Sequence, residues 1–214
     1  MRREPVCVLS ICLLASSIPL CVGQSSKYYQ GVQWKSLFNG EDLLGWKNVG
    51  SEKWKVEDGA IVGESVVGGD GFIVTEEEFT SFELHVRFKA DTPGNSGVFY
   101  HMTYEGNEFG NGMQVEVDPT INHHTAGLHE PRGRGWVVWP SPGNETVIKP
   151  YEWNDLLITV IDNRITTRLN GVLMVDFTDP KPKNSKGVIG FQLHPGADGQ
   201  RIRFKDIWIR DLGN

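Results

Sequence analysis

The segment Met113–Asp118 alternates apolar and polar side chains in the pattern of a β-strand. Because side chains on a strand point alternately to its two faces, Gln114, Glu116 and Asp118 share one face while the apolar residues enter a core. Glu116 and Asp118 would lie ~6–7 Å apart at the backbone, close enough for one charge to influence the other. Such proximity can separate two pKa values, so that one carboxyl acts as an acid and the other as a base.

A second predicted strand, Gly97–Thr103, places His101 on the polar face of its sheet, and a third, Gly187–His194, places Gln192 and His194 there. If the three strands share a sheet, amide, carboxylate and imidazole side chains line one groove. The alternative is a solvated sheet face, since antiparallel sheets often present one polar side to water. We take Glu116, Asp118 and His101 as candidate catalytic groups, and Gln114, Gln192 and His194 as candidate substrate-binding groups.

Residues 120–150 form a long connection that is rich in glycine, proline and histidine. His123, His124, His129 and Glu130 are types that can bind a divalent metal. Their spacing does not support a metal site, because no HExxH-type pattern is present and adjacent histidines on an extended chain point apart. We therefore predict no cofactor, and a metal stays an alternative that ligand geometry alone can decide.

The same connection carries Trp136 and Trp139 beside Arg132 and Arg134. Indole rings stack on the apolar faces of sugars, while neighbouring polar groups bind hydroxyls. We interpret Trp136, Trp139, Arg132 and His124 as substrate-binding groups on a loop that covers a groove. The alternative is that the indoles only anchor this loop to the core.

Alternating segments and frequent Asn-Gly and Asp-Gly turns extend over most of the chain, and no long amphipathic helix is predicted. The Asp58-Gly59 pair predicts a hairpin, residues 153–177 predict a three-stranded meander, and a phase slip near Asp206 predicts a bulge in the last strand. About a dozen short strands indicate an all-β protein, a two-sheet antiparallel sandwich. The last strand is expected to pair with the first strands and so close the sandwich.

Residues 1–23 have the layout of a secretory signal peptide: Arg2 and Arg3, an uncharged apolar run, and small residues before Gln24. We expect an exported protein, periplasmic or secreted, without a membrane span and without a lipid anchor on Cys21. Residues 24–33 would be a flexible lead-in and residues 34–214 a single domain. All three cysteines lie in the first 23 residues, so the domain has no thiol or disulfide chemistry. The net charge of −6 and the lack of a basic cluster exclude a typical nucleic-acid partner.

The order of several short motifs resembles the 3-keto-disaccharide hydrolase family over residues 34–212. The motifs are Leu37-Phe38-Asn39-Gly40, Leu44-Gly45-Trp46, Trp54-Lys55-Val56-Glu57-Asp58-Gly59, Phe82-Glu83-Leu84, Gly94-Asn95-Ser96-Gly97-Val98-Phe99, Glu152-Trp153-Asn154, Leu169-Asn170-Gly171, Gly187–His194 and Phe204-Lys205-Asp206-Ile207. The resemblance implies a concanavalin-like jelly roll with a concave ligand face. It also implies cleavage of glycosides that carry a ketone at C3 of the sugar.

A C3 ketone acidifies the proton on C2, so a base can remove this proton and the C1 substituent can leave by elimination before water adds. Such a reaction needs a base, a proton donor for the leaving oxygen and donors for the enolate oxygen. The family strand commonly reads G-x-E-x-Q, whereas Gly112-Met113-Gln114-Val115-Glu116 has the acid and amide exchanged. We expect a hydrolase or lyase acting on 3-keto-glycosides. The alternative is a non-catalytic carbohydrate-binding module of the cell envelope; the oligomeric state is not predicted.

Overall fold

The computed structural model describes residues 33–65, 71–194 and 199–213. The predicted signal peptide (1–23) and almost all of the predicted lead-in lie outside these ranges. In the described residues the chain forms fifteen strands and one four-residue 3₁₀ helix. The strands are β1 (Lys35–Ser36), β2 (Trp46–Gly50), β3 (Lys53–Glu57), β4 (Ala60–Glu64), β5 (Gly71–Phe79), β6 (Phe82–Ala90), β7 (Ser96–Glu105), β8 (Glu108–Val117), β9 (Leu128–Glu130), β10 (Gly135–Val138), β11 (Asn154–Ile161), β12 (Arg164–Leu169), β13 (Val172–Thr178), β14 (Gly187–Leu193) and β15 (Arg201–Asp211), and the 3₁₀ helix is Asn144–Val147.

The strands form two antiparallel sheets that pack face to face. One sheet has the order β13-β12-β11-β6-β15-β4-β3, with β1 paired to β15. The other has the order β10-β9-β8-β7-β14-β5-β2. The all-β sandwich predicted from the alternation is confirmed, and its two sheets have the jelly-roll architecture that the resemblance implies.

The hydrophobic core lies between the sheets, where the inward side chains of both meet. Along β6 every second residue is buried, as expected for a strand with one face in a core. Phe191 of one sheet stacks on Phe204 of the other, with ring centroids 4.1 Å apart, and Trp46 contacts Phe191 at 5.2 Å. Such aromatic pairs add to the burial energy that holds two sheets together.

Several local predictions are confirmed in the strand pairing. Asp58 and Gly59 both have positive φ in the turn between β3 and β4. The meander is β11-β12-β13. The register of β15 against β6 shifts between Lys205 and Trp208, around Asp206 with its φ of 51°. The last strand also pairs with β1 and β4, so the predicted closure is present.

Three strands were not predicted: β2, β9 and β10. The last two lie in the connection 120–150, where the sequence shows little alternation. They extend the seven-stranded sheet beyond β8 and place the tryptophans of this connection beside it. No helix in the described residues is long and apolar enough to span a membrane.

The outer face of the seven-stranded sheet, opposite the core, carries a second hydrophobic cluster. We call it the apolar patch; it consists of Val49, Phe72, Val74, Phe99, Met102, Phe109 and Val188. The end of the β7–β8 hairpin folds over it, and Asn107 at the hairpin turn exchanges hydrogen bonds with the backbone of Gly50. The hairpin therefore covers the apolar part of this outer face, and polar residues occupy another part of it.

Candidate functional site

A cleft with a volume of about 410 Å³ lies on the open half of this outer face. It is lined by Asn95, Gln114, Glu116, Asp118, Asn122, His123, His124, His129, Trp136 and His194. Its volume falls within the range of about 300–1,000 Å³ found for small-molecule sites. The lining is unusually rich in imidazoles, which are the side chains best suited to exchange protons near neutral pH.

Glu116 lies in the cleft with a side chain that is almost inaccessible to solvent. Its Oε1 accepts a hydrogen bond from Asn95 Nδ2, and its Oε2 accepts one from Gln114 Nε2 at 2.8 Å. Burial raises the pKa of the Glu116 carboxyl to about 8; the bond from Asn95 lowers it and the nearby charge of Asp118 raises it. The raised pKa makes the ionised carboxylate a stronger base than that of an ordinary glutamate.

Gln114 reaches Glu116 because the neighbouring strand carries no side chain at position 97. Gly97 pairs with Glu116 across β7 and β8, and the Gln114 side chain lies over it. A Cβ on Gly97 would come within 2.6 Å of Gln114 Cγ and 2.7 Å of its Nε2. Glycine at this position therefore permits the hydrogen bond between the amide and the carboxyl.

Asn95 is fixed by its own backbone in the loop before β7. Its carbonyl oxygen accepts hydrogen bonds from Gln200 Nε2 at 2.5 Å and from the His194 backbone N–H at 3.3 Å. The amide that contacts Glu116 is therefore positioned by residues from the end of β14 and the start of β15.

Asp118 follows β8 and is buried, but its carboxylate serves mainly to shape the adjacent loop. Oδ1 accepts hydrogen bonds from Thr120 N at 2.9 Å and from Thr120 Oγ1 at 2.5 Å. Oδ2 lies 3.2 Å from His123 Nδ1. These contacts hold the loop after β8 and position the His123 imidazole.

His124 is held on three sides, with its backbone in the left-handed region at φ 64°. Both oxygens of Glu145 contact it, Oε2 accepting from the backbone N–H at 2.8 Å and Oε1 lying 3.0 Å from Nδ1. The Trp139 ring stacks on the imidazole at 4.7 Å with an interplanar angle of 6°, and Trp136 contacts it edge-on at 5.1 Å. The imidazole is therefore fixed in position and orientation.

His129 extends the row of polar side chains because it pairs with Gln114 across β8 and β9. Trp136 contacts its ring at 5.2 Å. Burial lowers the pKa of the His129 imidazole, which favours its neutral form. Trp136 is 40% exposed and lines the cleft, whereas Trp139 is 59% exposed and lies at its rim.

Two predicted site residues lie elsewhere, and their predicted placement is wrong. His101 is buried in β7 with Nε2 2.6 Å from the Thr80 carbonyl oxygen and Nδ1 3.2 Å from that of Asn184, in a separate water-sized cavity. A register shift between Tyr100 and Thr103 gives His101 a φ of 47° and removes it from the face that carries Glu116. Burial also lowers the pKa of its imidazole.

Arg132 is the second misplaced residue. Its Nη1 donates to the Phe109 carbonyl oxygen at 2.5 Å, and its guanidinium lies over the Phe109 ring. It therefore ties the β9–β10 turn to the apolar patch and does not line the cleft. Arg134 is also structural, because it binds Asp179 with both Nη atoms, at 2.9 and 2.7 Å.

The remaining predicted residues lie in or beside the cleft. Gln114, Glu116, Asp118, His124, Trp136 and His194 line it. Gln192 is buried in the same cross-strand row as Glu116, with Gly97 between them, but is not part of the lining.

Sequence reasoning missed Asn95, Asn122 and Glu145, and it considered His123 and His129 only as metal ligands. Asn95 had the appearance of a turn residue, and Glu145 lies 21 residues from the histidine that it binds. No local pattern reveals such a pair. Among the side chains that the structure describes, no group of three or more His, Cys, Asp or Glu is arranged to hold a metal ion.

The chain is similar in sequence and in fold to several known proteins. The chain is 25% identical over 220 residues to the 3-keto-disaccharide hydrolase of Bacteroides thetaiotaomicron, an alignment that covers 83% of this chain and 76% of that protein. It has the same fold as a candidate glycosyl hydrolase from Parabacteroides distasonis, with a TM-score of 0.66, 23% identity, and coverage of 88% of this chain and 98% of the other. The carbohydrate binding module CBM66 from Bacillus subtilis is also similar in fold, with a TM-score of 0.58, 18% identity, and coverage of 78% and 96%.

A family assignment follows from a match that spans most of the chain. Residues 33–210, which include both sheets and every residue that lines the cleft, match the family described as the 3-keto-alpha-glucoside-1,2-lyase-like domain. The resemblance inferred from the motifs is thereby confirmed. The chain belongs to the family of 3-keto-alpha-glucoside-1,2-lyase-like domains.

Proposed function

We propose that this protein cleaves glycosides whose sugar carries a ketone at C3, with Glu116 as the base that removes the C2 proton. One observation carries the proposal: a buried carboxyl, held by two amides in an imidazole-lined cleft, has a pKa of about 8. The family match and the relative from Bacteroides thetaiotaomicron, named a 3-keto-disaccharide hydrolase, support it.

The chemistry of the Glu116 carboxyl fits removal of a proton from carbon. A C–H next to a ketone is a weak acid, so its base should be as strong as the working pH permits. An ordinary glutamate is a poor base, since its pKa is near 4.3. Burial makes Glu116 a stronger base, while Asn95 and Gln114 hold both oxygens in a fixed direction.

The bond changes of the proposed reaction are these. Glu116 takes the C2 proton, the C2–H electron pair forms the C1=C2 double bond, and the C1–O bond breaks with its electron pair on the leaving oxygen. This step needs a proton for the leaving oxygen, and the products are an alcohol and an unsaturated 3-keto sugar. Water then adds to C1, and the proton held by Glu116 returns to C2.

Recognition of the sugar falls to the remaining lining residues. Trp136 offers an exposed indole edge and face at the cleft, suited to contact with the C–H surface of a pyranose. His129, His194 and Asn122 supply hydrogen-bonding groups for hydroxyls and for the C3 oxygen.

The test is incubation of the purified protein with 3-keto-trehalose or a 3-keto-glucoside, with measurement of the released sugar. The wild type should turn over, and Glu116→Gln should lose about 10²–10⁴-fold in kcat, the range for a general base. Glu108→Gln, the same substitution at an exposed position of the same strand, is the control and should keep full activity.

The pH dependence is a second part of this test. The base acts only when ionised, so for an aryl 3-keto-glycoside, whose leaving group needs no proton, kcat/KM should rise with pH and level off above about 8, the pKa of Glu116. The other titratable groups that line the cleft of this carboxyl are Asp118, His123, His124, His129 and His194, and the charge of Asp118 raises the pKa of Glu116. No turnover by the folded wild type, or a rate that is flat from pH 6 to 9, contradicts the proposal.

A second candidate function is sugar binding without catalysis, and the exchanged Gln114 and Glu116 favour it. The fold shared with a carbohydrate binding module points the same way. It predicts binding of an oligosaccharide by calorimetry with no product, and equal affinity in the Glu116→Gln variant.

A further inference from the structure

Glu145 is a partly buried carboxylate whose two oxygens both contact one cleft histidine. Its side chain is only 15% exposed, and both oxygens contact His124, one the backbone N–H and the other Nδ1. Nothing in the proposed base chemistry of Glu116 uses this pair. A carboxylate that is hydrogen-bonded to one ring nitrogen of an imidazole fixes which nitrogen carries the proton.

Hydrogen bonds to β13 fix the segment that carries Glu145 beside His124. The 3₁₀ helix Asn144–Val147 begins after Gly143, which has a positive φ of 85°. Asn144 Nδ2 donates to the Leu173 carbonyl oxygen at 2.9 Å, and the Ser141 N–H donates to the Met174 carbonyl oxygen at 3.0 Å. Both bonds attach the segment to β13, so Glu145 approaches His124 from a fixed position.

The imidazole is also held by two tryptophans that precede this segment in the chain. Trp139 stacks in parallel on the His124 ring, while Trp136 contacts its edge. With Nδ1 on Glu145, the ring has one nitrogen left for the cleft, Nε2. The other charged or titratable groups lining this cleft are Glu116, Asp118, His123, His129 and His194.

We propose that Glu145 is a positioning residue that holds the proton of His124 on Nδ1 and so presents Nε2 to the cleft, where the protonated imidazole gives its Nε2 proton to the leaving glycosidic oxygen. This inference rests on the proposed function, because it supplies the proton that the elimination requires. The Nε2–H bond breaks as the C1–O bond breaks, and the alcohol leaves neutral. His124 regains a proton from solvent before the next turnover.

His124 fits this role better than the other carboxylate-paired histidine. His123 is 59% exposed, and its partner Asp118 is shared with Thr120. His124 is 28% exposed and has both oxygens of its partner to itself. The imidazole of His124 is therefore fixed in the cleft, whereas that of His123 lies on the surface.

The deciding experiment compares two substrates with different leaving groups. A 3-keto-disaccharide releases an alkoxide that needs a proton, whereas a 4-nitrophenyl 3-keto-α-glucoside releases a phenolate that does not. Glu145→Gln should lower kcat for the disaccharide by about 10–100-fold, the loss typical of removing a group that orients another, and leave KM nearly unchanged. It should hardly slow the nitrophenyl substrate.

His124→Gln should show the same substrate pattern, and the double variant should be no slower than His124→Gln alone. Groups that act as one unit give such non-additive effects. Glu108→Gln is the matched control and should leave both rates unchanged. Equal slowing on both substrates, or additive losses in the double variant, overturns the inference in favour of a purely structural Glu145.

A second measurement does not depend on turnover. Nitrogen-15 NMR of the imidazoles should show neutral His124 with its proton on Nδ1 in the wild type, and a mixture of tautomers in Glu145→Gln. A wild-type proton on Nε2 overturns the positioning role. If the wild type cleaves neither substrate, the proposed function fails and the proton-donor role fails with it, while the tautomer still decides what Glu145 does.

Discussion

Two regions on one face of the seven-stranded sheet are built from the same strands and have opposite chemistry. Strands β7, β8 and β14 contribute Phe99, Phe109 and Val188 to the apolar patch at one end. The same β8 contributes Gln114 and Glu116 to the cleft at the other. The patch is covered by the β7–β8 hairpin, whereas none of the strands that the structure describes covers the cleft.

The difference shows how one sheet face can separate stability from function. In the apolar patch, three phenylalanine rings pack within 5.0–5.4 Å of one another and water is excluded. In the cleft, a buried carboxyl is kept at a cost in stability, because desolvation opposes its ionisation. Three experiments test whether the two regions are as independent as this comparison implies.

The largest effect is expected from Phe72→Ala in the apolar patch. Phe72 is fully buried and contacts both Phe99 and Phe109. Its truncation should lower the free energy of unfolding by about 3–5 kcal/mol, as for other buried aromatic residues. Urea denaturation measures the loss, and kcat of the folded protein should change little. A fall in kcat as large as that of Glu116→Gln would show that the patch and the cleft are coupled.

An effect of opposite sign and of at most similar size is expected from Glu116→Gln on stability. The native carboxyl keeps its proton up to pH about 8, whereas the unfolded one loses it near 4.5. Between these values the native state binds more protons, so the wild-type free energy of unfolding falls as pH rises from about 5 to about 8. The variant lacks this fall and should exceed the wild type by at most ~5 kcal/mol at pH 9.

Thermal or urea unfolding of both proteins at pH 5, 7 and 9 measures this difference. The other titrating groups are present in both proteins, so their contributions cancel in the comparison. A difference in the free energy of unfolding that does not change with pH would mean that the pKa of Glu116 is not raised in the native state.

The smallest effects are expected from a matched pair of glycine substitutions, Gly97→Ala and Gly190→Ala. The Cβ of Gly97→Ala would meet Gln114, and that of Gly190→Ala would meet Met102 Sδ at 2.9 Å and Val74 Cγ1 at 3.2 Å. Each should destabilise by roughly 1–3 kcal/mol through overpacking.

Activity separates the two glycine variants. Gly97→Ala should also lower kcat, because Gln114 must move away from Glu116, whereas Gly190→Ala should not. Both variants are assayed for stability and for turnover of a 3-keto-glycoside. Equal loss of kcat in both would remove the distinction between the two regions.

Much of the fold could be predicted from the sequence because strand alternation is a local signal. The pattern of residues 82–89 and 113–118 identified β6 and the inner part of β8, and Asp58-Gly59 identified a hairpin. The same signal placed Gln114 and Glu116 on one face, where the structure has them. The short strands β9 and β10 were not predicted because they hold only three and four residues, too few to show alternation.

The site was harder to predict because its geometry depends on contacts between distant residues. One register shift in β7 moves His101 to a position that strict alternation does not allow. Asn95 and Glu145 come from connections whose sequences read as turns, and each reaches a partner 21 residues away. The exchange of Gln114 and Glu116 was visible in the sequence, but the burial and the amide contacts of Glu116 were not.

The position of β15 also constrains when the molecule can fold. Strand β15 lies in the middle of its sheet, between β6 and β4, and also pairs with β1 near the start of the domain. During synthesis the sandwich therefore cannot close until residues 201–211 have left the ribosome. Contacts between segments so far apart in sequence make folding slow. The nascent chain consequently remains open, and accessible to chaperones, until almost all of the domain has been made.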